Sequence, residues 1–210
     1  MVTFRSFSLA RLFSAALIPA MLLSLAACDT QSEAKRQDNA GAGESAEAPP
    51  PPPPPGLGPS GKLDISKRGD QAPEGSFTAP DGTPVSLADF QGKPLLVNLW
   101  ATWCGPCVFE MPTLDTLAIR EEERLQVLVV SQDNQGAELV DPFFAERDFQ
   151  KLEPYLDTEN VLGFAIGSGV MPTTILYDSQ GKEVWRMLGG MDWAGVRAAS
   201  MLEDTLAEGE

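Results

Sequence analysis

Residues 95–107 read Leu-Leu-Val-Asn-Leu-Trp-Ala-Thr-Trp-Cys-Gly-Pro-Cys. The first six residues form a short apolar run that is typical of a buried β-strand, and the sequence from Pro106 to about Glu122 is typical of a helix. Cys104 therefore falls at the start of the helix and Cys107 one turn later. Unpaired N–H groups at a helix start favour a thiolate, so Cys104 is the candidate nucleophile and Cys107 the candidate resolving thiol.

Segments typical of strands and helices alternate on both sides of this motif. We expect a hairpin over residues 77–87, a second buried strand over 125–131, a helix over 137–150, a hairpin made of 174–177 and 183–188, and a final helix that Asp192 caps and that runs to about Leu206. This order is that of the thioredoxin fold, an α/β fold with a central mixed β-sheet flanked by helices.

The cysteine spacing has several interpretations besides redox chemistry. A structural zinc site needs four ligands, whereas the chain has three cysteines and no histidine. Covalent haem attachment needs a histidine after the second cysteine, where Val108 stands. An inert disulfide would stabilise little, because the loop that it closes is very short. A redox role is therefore favoured, and neither a metal nor a cofactor is expected; a copper carrier that uses both thiols stays an alternative.

The charge of the chain restricts its partners. Acidic residues outnumber basic ones by 30 to 15, which gives a formal net charge of −15. Residues 70–210 alone hold 24 acidic and eight basic residues, a net charge of −16. Nucleic acid is excluded as a partner, because its phosphates would be repelled. Association with a basic protein surface is expected instead.

The first 69 residues read as a signal and a tether. Arg5 and Arg11 precede an apolar run that ends in Leu25-Ala26-Ala27-Cys28, a secretory pattern that resembles a bacterial lipoprotein box. We therefore predict a signal peptide over residues 1–27, lipidation of Cys28, a disordered tether over 28–69 with seven consecutive prolines, and a folded domain over 70–210. The alternative is an uncleaved membrane helix. Both interpretations place the domain outside the cytoplasm. Asp29, directly after Cys28, resembles an inner-membrane retention signal of lipoproteins. We therefore expect the domain to lie in the periplasm, anchored to the inner membrane by the lipid.

Two stretches carry a resemblance to a known family. Residues 97–107 with Glu110-Met111-Pro112 form the first, and Val170-Met171-Pro172-Thr173-Thr174, followed by Asp178 and Gly181, forms the second. Together they resemble the membrane-tethered thiol:disulfide proteins of the TlpA, ResA and CcmG (DsbE) group, over about residues 71–202. Residues 131–133 and 140–143 are most similar to the TlpA branch and suggest its helical insertion.

The resemblance implies roles for individual residues. Pro172 matches the cis-proline that faces the cysteines, Met171 before it would offer its backbone to a substrate, and Trp103 would form a partly exposed wall. Glu110 matches an acidic residue that manages the proton on Cys107; the alternative is a surface glutamate. If the side chain of Glu110 is partly buried, its pKa should rise. A further departure from thioredoxin is asparagine at position 98, in place of a buried aspartate.

The resemblance also implies a function. Gly105-Pro106 is the pair found in thioredoxin, whose potential of about −270 mV is far more reducing than that of DsbA, so a protein-disulfide reductase is favoured. Expected substrates are apocytochrome c or the copper-site assembly proteins of cytochrome oxidase. A transmembrane electron donor of the DsbD or CcdA type is the expected partner, and the chain is expected to act as a monomer. A thiol oxidase or isomerase stays an alternative.

Overall fold

The computed structural model describes residues 61–207, which contain an eight-stranded mixed sheet, four α-helices and a short 3-10 helix at Leu87–Phe90. The strands are β1 (Lys62–Asp64), β2 (Ser76–Thr78), β3 (Pro84–Ser86), β4 (Leu95–Trp100), β5 (Gln126–Ser131), β6 (Pro154–Leu156), β7 (Thr173–Tyr177) and β8 (Glu183–Leu188). The helices are α1 (Gly105–Arg120), α2 (Ala137–Ala145), α3 (Val161–Ile166) and α4 (Val196–Ala207). The strands lie in the order β1-β8-β7-β4-β5-β6-β2-β3.

Strand β4 is the centre of the sheet and is buried along its whole length. It pairs in parallel with β5 and antiparallel with β7. Because side chains alternate along a strand, Leu96 and Trp100 pack into one core cluster with α1 and α4, whereas Val97 and Leu99 pack into another with α3. Asn98 has the same parity as Leu96 and Trp100, so its side chain points toward α1.

Most of the predicted elements are confirmed. The hairpin around residues 81–82 is present as β2 and β3, and the hairpin after the second motif is present as β7 and β8. Strands β4 and β5 and helix α1 lie where the sequence predicted them. The insertion between β5 and β7 holds α2, β6 and α3. The fold class, thioredoxin-like α/β with a helical insertion, is confirmed.

Two helix predictions need correction. The helix predicted over 137–150 ends at Ala145: the Arg147 backbone N–H donates to Phe144 O and no longer to residue 143, and the N–H groups of residues 150–152 donate to the carboxylate of Asp115. The final helix begins at Val196, so Asp192 does not cap it. The Asp192 side chain instead accepts a hydrogen bond from the backbone N–H of Ala194, within a local turn.

One strand lies in the segment predicted to be tether. Lys62–Asp64 form β1, which pairs antiparallel with residues 186–188 of β8 at the edge of the sheet. The backbone N–H of Gly61 donates to Gly190 O at 2.9 Å. These backbone hydrogen bonds do not depend on which side chains are present. A prediction from composition therefore places residues 61–69 in the tether, although part of this segment pairs with the sheet. The predictions for the signal peptide, Cys28 and the proline run lie outside the described residues. Within residues 61–207, no helix is long and apolar enough to cross a bilayer.

Candidate active site

Cys104 and Cys107 form a disulfide with a Cα–Cα distance of 5.3 Å. Cys104 is the N-cap residue of α1, and the backbone N–H of Cys107 donates to Cys104 Sγ at 3.3 Å. Cys107 is fully buried, whereas Cys104 keeps 6% of its surface exposed. A sulfur at the N-cap receives the N–H group that would stabilise a thiolate after reduction. The predicted placement of the two sulfurs at the helix start is confirmed, and their exposure suits a nucleophile and an inward resolving thiol.

The loop that leads into Cys104 is held by a buried aspartate. Asp133, which is 1% exposed, accepts hydrogen bonds from the Thr102 backbone N–H at 2.9 Å and from Thr102 Oγ1 at 2.8 Å. Ser131 Oγ donates to the same carboxylate at 2.8 Å. Asp133 thereby fixes the turn between β4 and Cys104. The sequence signal for this role is an acidic residue two positions after the end of a buried strand.

The second motif adopts the backbone that the resemblance implied. The Met171–Pro172 peptide bond is cis, and Pro172 O accepts a hydrogen bond from the backbone N–H of Gly189 at 2.9 Å. Met171 and Trp103 line one cavity of about 490 Å³. Trp103 is 70% exposed. The structure thus brings Trp103 and the residue before the cis-proline together beside the cysteine motif.

Glu110 lies in the interior, so the alternative of a surface glutamate is wrong. Its side chain is 1% exposed, one helical turn after Cys107. Glu110 Oε1 accepts a hydrogen bond from Asn98 Nδ2 at 2.7 Å. Oε2 accepts from the Met191 backbone N–H at 2.9 Å and from Trp193 Nε1 at 3.2 Å. Both carboxylate oxygens are therefore occupied by donors.

Burial raises the pKa of Glu110 to about 7, and the hydrogen bonds from Met191, Asn98 and Trp193 oppose this rise. The expectation that a buried Glu110 would have a raised pKa is confirmed. A carboxyl with this pKa exchanges protons near neutral pH, which is the property that a general acid or base needs. Glu110 lies one turn after Cys107 on α1, so a group that can exchange protons lies next to the resolving thiol.

Asn98 connects Glu110 to the strand after the cis-proline. Its Nδ2 donates both to Glu110 Oε1 and to Thr174 Oγ1, the latter at 2.9 Å. Among residues 61–207, Asn98 Oδ1 is a buried side-chain oxygen without a hydrogen-bond partner. The carboxamide is thus oriented by the two acceptors. An aspartate at this position would put a second carboxyl against Glu110.

The segment after β8, for which the sequence analysis predicts only a helix cap at Asp192, completes the site. Met191 and Trp193 supply two of the three donors to Glu110, and the Trp193 backbone N–H donates to Thr113 Oγ1 at 3.1 Å. Gly190 lies against the Pro106 ring: a Cβ at position 190 would be 3.6 Å from Pro106 Cβ. The available signal was the stretch Gly189-Gly190-Met191-Asp192-Trp193 between a strand and a helix. Such a run is equally typical of an ordinary connection.

Comparison with known proteins agrees with this geometry. The Redoxin family model matches residues 67–205. Thiol-disulfide oxidoreductase ResA of Bacillus thuringiensis (strain Al Hakam) is 30% identical over 121 residues, which cover 58% of this chain and 69% of ResA. The thioredoxin-like protein YneN of Bacillus subtilis is 31% identical over 125 residues, which cover 55% of this chain and 68% of YneN.

Solved structures share the fold. A Chlorobium tepidum protein assigned as thiol:disulfide interchange protein DsbE superposes with a TM-score of 0.58 at 24% identity, over 68% of this chain and 96% of its own. A protein assigned as a thioredoxin from Neisseria meningitidis has a TM-score of 0.56 at 28% identity, over 66% of this chain and 91% of its own. A particular likeness to the TlpA branch stays a prediction. The chain belongs to the Redoxin family and, like its ResA-type relatives, is a thiol-disulfide oxidoreductase.

Proposed function

We propose that the protein is a periplasmic, membrane-anchored reductant of protein disulfides that serves cytochrome c assembly or assembly of the copper site of cytochrome oxidase. The observation that carries the proposal is Glu110, a buried carboxyl with a pKa of about 7 placed one turn after Cys107. Reduction of a substrate requires Cys107 to lose its proton inside the protein. Glu110 is the group in that interior whose pKa suits the transfer.

The reaction starts from the reduced form of the cysteine pair. The Cys104 thiolate attacks one sulfur of the substrate disulfide, which forms a mixed disulfide and releases the other substrate sulfur as a thiolate that takes up a proton. Cys107 gives its proton to Glu110 and attacks Cys104 Sγ. This second step forms the Cys104–Cys107 disulfide and releases the remaining substrate sulfur as a thiolate, which takes up a proton from solvent. Two electrons pass to the substrate, and the protein is left in the oxidised form seen in the structure.

One feature supports reduction over oxidation. The dipeptide between the cysteines is Gly105-Pro106, as in thioredoxin, and thioredoxin has a potential of about −270 mV against about −120 mV for DsbA. The burial of Cys107 suits a resolving thiol in either direction of electron flow, so it does not bear on the choice between reduction and oxidation. The oxidised protein must then be recharged, and in the periplasm this requires a dithiol donor that spans the membrane.

Anchoring is part of the same proposal. Lipidation of Cys28 would hold the domain at the inner membrane through residues 29–60, close to a membrane-embedded donor of the DsbD or CcdA type. The unaltered chain should incorporate a labelled fatty acid and fractionate with the inner membrane, whereas a Cys28→Ser chain should incorporate none. Detection of the unaltered chain in the soluble fraction alone would contradict the anchor without affecting the exchange chemistry.

The direction of electron flow can be measured on the full-length chain. Equilibration of Cys104 and Cys107 with dithiothreitol buffers should give a potential closer to about −270 mV than to about −120 mV. The same cysteines, alkylated in living cells, should be mostly reduced. A potential near that of DsbA, or a mostly oxidised pair in cells, would make the protein an oxidant and overturn the proposal.

The role of Glu110 is tested by the release step. Stopped-flow measurement of mixed-disulfide decay should show that Glu110→Gln slows release about 100-fold, the usual contribution of a general base. In the unaltered chain the release rate should rise with pH through an apparent pKa near 7. Formation of the mixed disulfide, observed in a Cys107→Ser background, should respond to Glu110→Gln much less. Equal slowing of both steps would assign Glu110 a structural role only.

A further inference from the structure

Gly61 lies in the segment that composition places in the tether, yet its backbone is connected to the carboxyl of Glu110. The Gly61 N–H donates to Gly190 O at 2.9 Å. The N–H of the next residue, Met191, donates to Glu110 Oε2 at 2.9 Å. The oxygen of Gly190 and the N–H of Met191 belong to the same planar peptide group. One peptide group therefore joins Gly61 to the buried carboxyl.

This peptide group lies in the interior of the domain. Gly190 and Met191 are both buried, and a Cβ at position 190 would be 3.6 Å from Pro106 Cβ and 3.9 Å from Glu110 Oε2. Hydrogen bonds are electrostatically stronger in such surroundings than in water. The orientation of the peptide group is thus held at its oxygen by Gly61 and at its N–H by Glu110.

The two hydrogen bonds of this peptide group strengthen each other. A peptide that accepts a hydrogen bond at its oxygen is polarised and becomes a better donor at its N–H, by about 10–30%. Burial raises the pKa of Glu110, and among the donors that oppose this rise the Met191 N–H has the largest effect. The bond from Gly61 therefore acts on the strongest of the donors that stabilise the carboxylate.

The contact depends on glycine at position 61. A Cβ there would be 2.6 Å from Met187 Sδ and 2.9 Å from Gly189 O, both of which are too close. Gly189 O is a backbone atom, so rotation of a side chain cannot relieve the second contact. Glycine thus allows the chain before β1 to approach the segment after β8 within hydrogen-bond distance.

The groups that face Glu110 from the elements around it are neutral in the oxidised protein. Strand β4 contributes Asn98, and the segment after β8 contributes Met191 and Trp193. On α1 the titratable neighbour is Cys107, which does not titrate while it is in the disulfide. Among the residues that the structure describes, no charged group shifts the pKa of Glu110. In the oxidised protein this pKa therefore reports burial and hydrogen bonding.

We propose that Gly61 is a positioning residue for Glu110: its N–H orients and polarises the peptide group between Gly190 and Met191. The proposal rests on the proton transfer that is proposed for Glu110 above and adds a residue to it. Loss of the bond from Gly61 leaves the Met191 N–H a weaker donor, which favours the neutral form of the carboxyl. The strand that leads out of the domain thereby influences the group that takes the proton from Cys107.

The first test uses the unaltered full-length chain, oxidised, labelled with ¹⁵N and kept in detergent. Coupling between two interactions is reciprocal, so ionisation of Glu110 must strengthen the bond from Gly61. The amide resonance of Gly61 should therefore move with pH with a midpoint near 7. Gly69 is the matched control, because its N–H also donates to a backbone oxygen of β8, Glu183 O at 2.7 Å, away from the site. Its resonance should not follow this titration.

Glu110→Gln identifies the source of the Gly61 response. The variant has no carboxyl to ionise at position 110, so the movement of the Gly61 resonance near neutral pH should disappear. A Gly61 resonance that does not move as Glu110 ionises would overturn the proposal. Equal movement in the unaltered chain and in Glu110→Gln would overturn it as well.

A variant of Gly61 tests the effect on the carboxyl itself. Gly61→Pro removes the N–H and adds a Cβ, so it breaks the contact with Gly190. The pKa of Glu110, measured from the ¹³C resonance of its carboxyl in the oxidised chain, should be about 0.5 higher than in the unaltered chain. In the reduced chain, the midpoint of the pH profile for mixed-disulfide release should rise by the same amount.

Arg68→Ala is the control for a purely structural effect. It removes the hydrogen bond from Arg68 Nε to Val184 O at 2.9 Å and so loosens the same segment on β8 at a distance from Gly190. Both the carboxyl pKa and the release profile should stay unchanged. An equal rise in Arg68→Ala and Gly61→Pro would assign Gly61 a structural role and overturn the proposal.

The remaining outcomes separate this proposal from the proposed function. If the carboxyl pKa rises in Gly61→Pro but the release profile does not move, Gly61 does position Glu110 and the proton transfer proposed for Glu110 is wrong. If neither value changes while release in the unaltered chain keeps a midpoint near 7, the role of Gly61 alone is wrong. If Gly61→Pro does not fold, the amide titration of the unaltered chain decides.

Discussion

The buried carboxyl of Glu110 makes the stability of the protein depend on pH in a defined direction. Its pKa is raised from an ordinary value of 4.5 to about 7 in the folded state. Below about pH 4.5 the group is protonated in both states and has no effect. As the pH rises through 7 the unfolded chain is already ionised, so folding must carry the cost of a buried charge. With about 1.36 kcal/mol for each tenfold change in acidity, this cost is about 3 kcal/mol above neutral pH.

Glu110→Gln removes the ionisation and keeps the shape. The new amide oxygen can accept from Met191 and Trp193, and Asn98 can rotate its unpartnered Oδ1 toward the new amide nitrogen. We therefore expect the variant to gain stability relative to the unaltered chain as the pH rises. The difference in unfolding free energy between the two should increase by about 3 kcal/mol from pH 4.5 to pH 8.5.

The assay is urea unfolding of the oxidised full-length chain at a series of pH values, with the disulfide intact throughout. Subtraction of the two curves cancels the titration of all other groups. Glu138→Gln on α2 is the control: it removes an exposed carboxylate, and its stability difference should stay within about 0.5 kcal/mol. A flat difference for Glu110→Gln across this pH range, or one that falls with pH, would show that Glu110 is not a neutral buried acid at low pH and would refute the reasoning.

Three further results are expected. Asn98→Asp places a second carboxyl about 2.7 Å from that of Glu110, and two carboxyls this close cannot both ionise. The free energy of unfolding of this variant should therefore fall by more than about 3 kcal/mol between pH 4.5 and pH 8.5. A loss of the same size at every pH would contradict the coupling. Asp115→Ala leaves the N–H groups of residues 150–152 without their acceptor. Urea unfolding of the oxidised chain should therefore show a loss of about 3 kcal/mol in the free energy of unfolding. A loss below about 0.5 kcal/mol would mean that water replaces the carboxylate. Reduction of a basic protein substrate should slow at least several-fold from low salt to about 0.5 M salt, because the net charge of −16 steers association, and an unchanged rate would exclude steering.

The fold was predictable where one physical rule dominated. The apolar runs of β4 and β5 with a helix pattern between them indicated one arrangement, because two parallel buried strands are joined by a crossover that is usually a helix packed on the sheet. Strand β1 was missed since three residues of mixed character give no pattern, and its place depends on backbone pairing with β8. The predicted helix ran past the end of α2 into a segment whose conformation depends on a distant group, because Asp115, some 35 residues away in sequence, accepts hydrogen bonds from the N–H groups of residues 150–152.

The site was predictable in the parts that local motifs carry. The roles of Cys104 and Cys107 follow from their spacing at the start of α1, whereas the positions of Glu110 and of the Met171–Pro172 pair were implied by the family resemblance. The donors that orient Glu110 come from β4 and from the segment after β8, and no local rule connects position 110 with positions 191 and 193. Likewise, residues of α3 line the cavity near Trp103, and they lie close to Trp103 only in the folded chain. Residues that act through tertiary contacts leave no periodic signal in the sequence.

The pKa of Glu110 results from two opposing effects, burial and hydrogen bonding, and asparagine at position 98 contributes to the second. Burial alone would hold the carboxyl neutral well above pH 7, and the donors from Asn98, Met191 and Trp193 bring the pKa down toward neutrality. An aspartate at position 98 would remove one donor and add a like charge, so the proton would be shared by a pair with two separated titrations. With asparagine, one carboxyl accompanies the cysteine pair. Since each turnover moves one proton off Cys107, a single acceptor with a pKa near 7 matches the stoichiometry of the step and can return that proton to solvent before the next cycle.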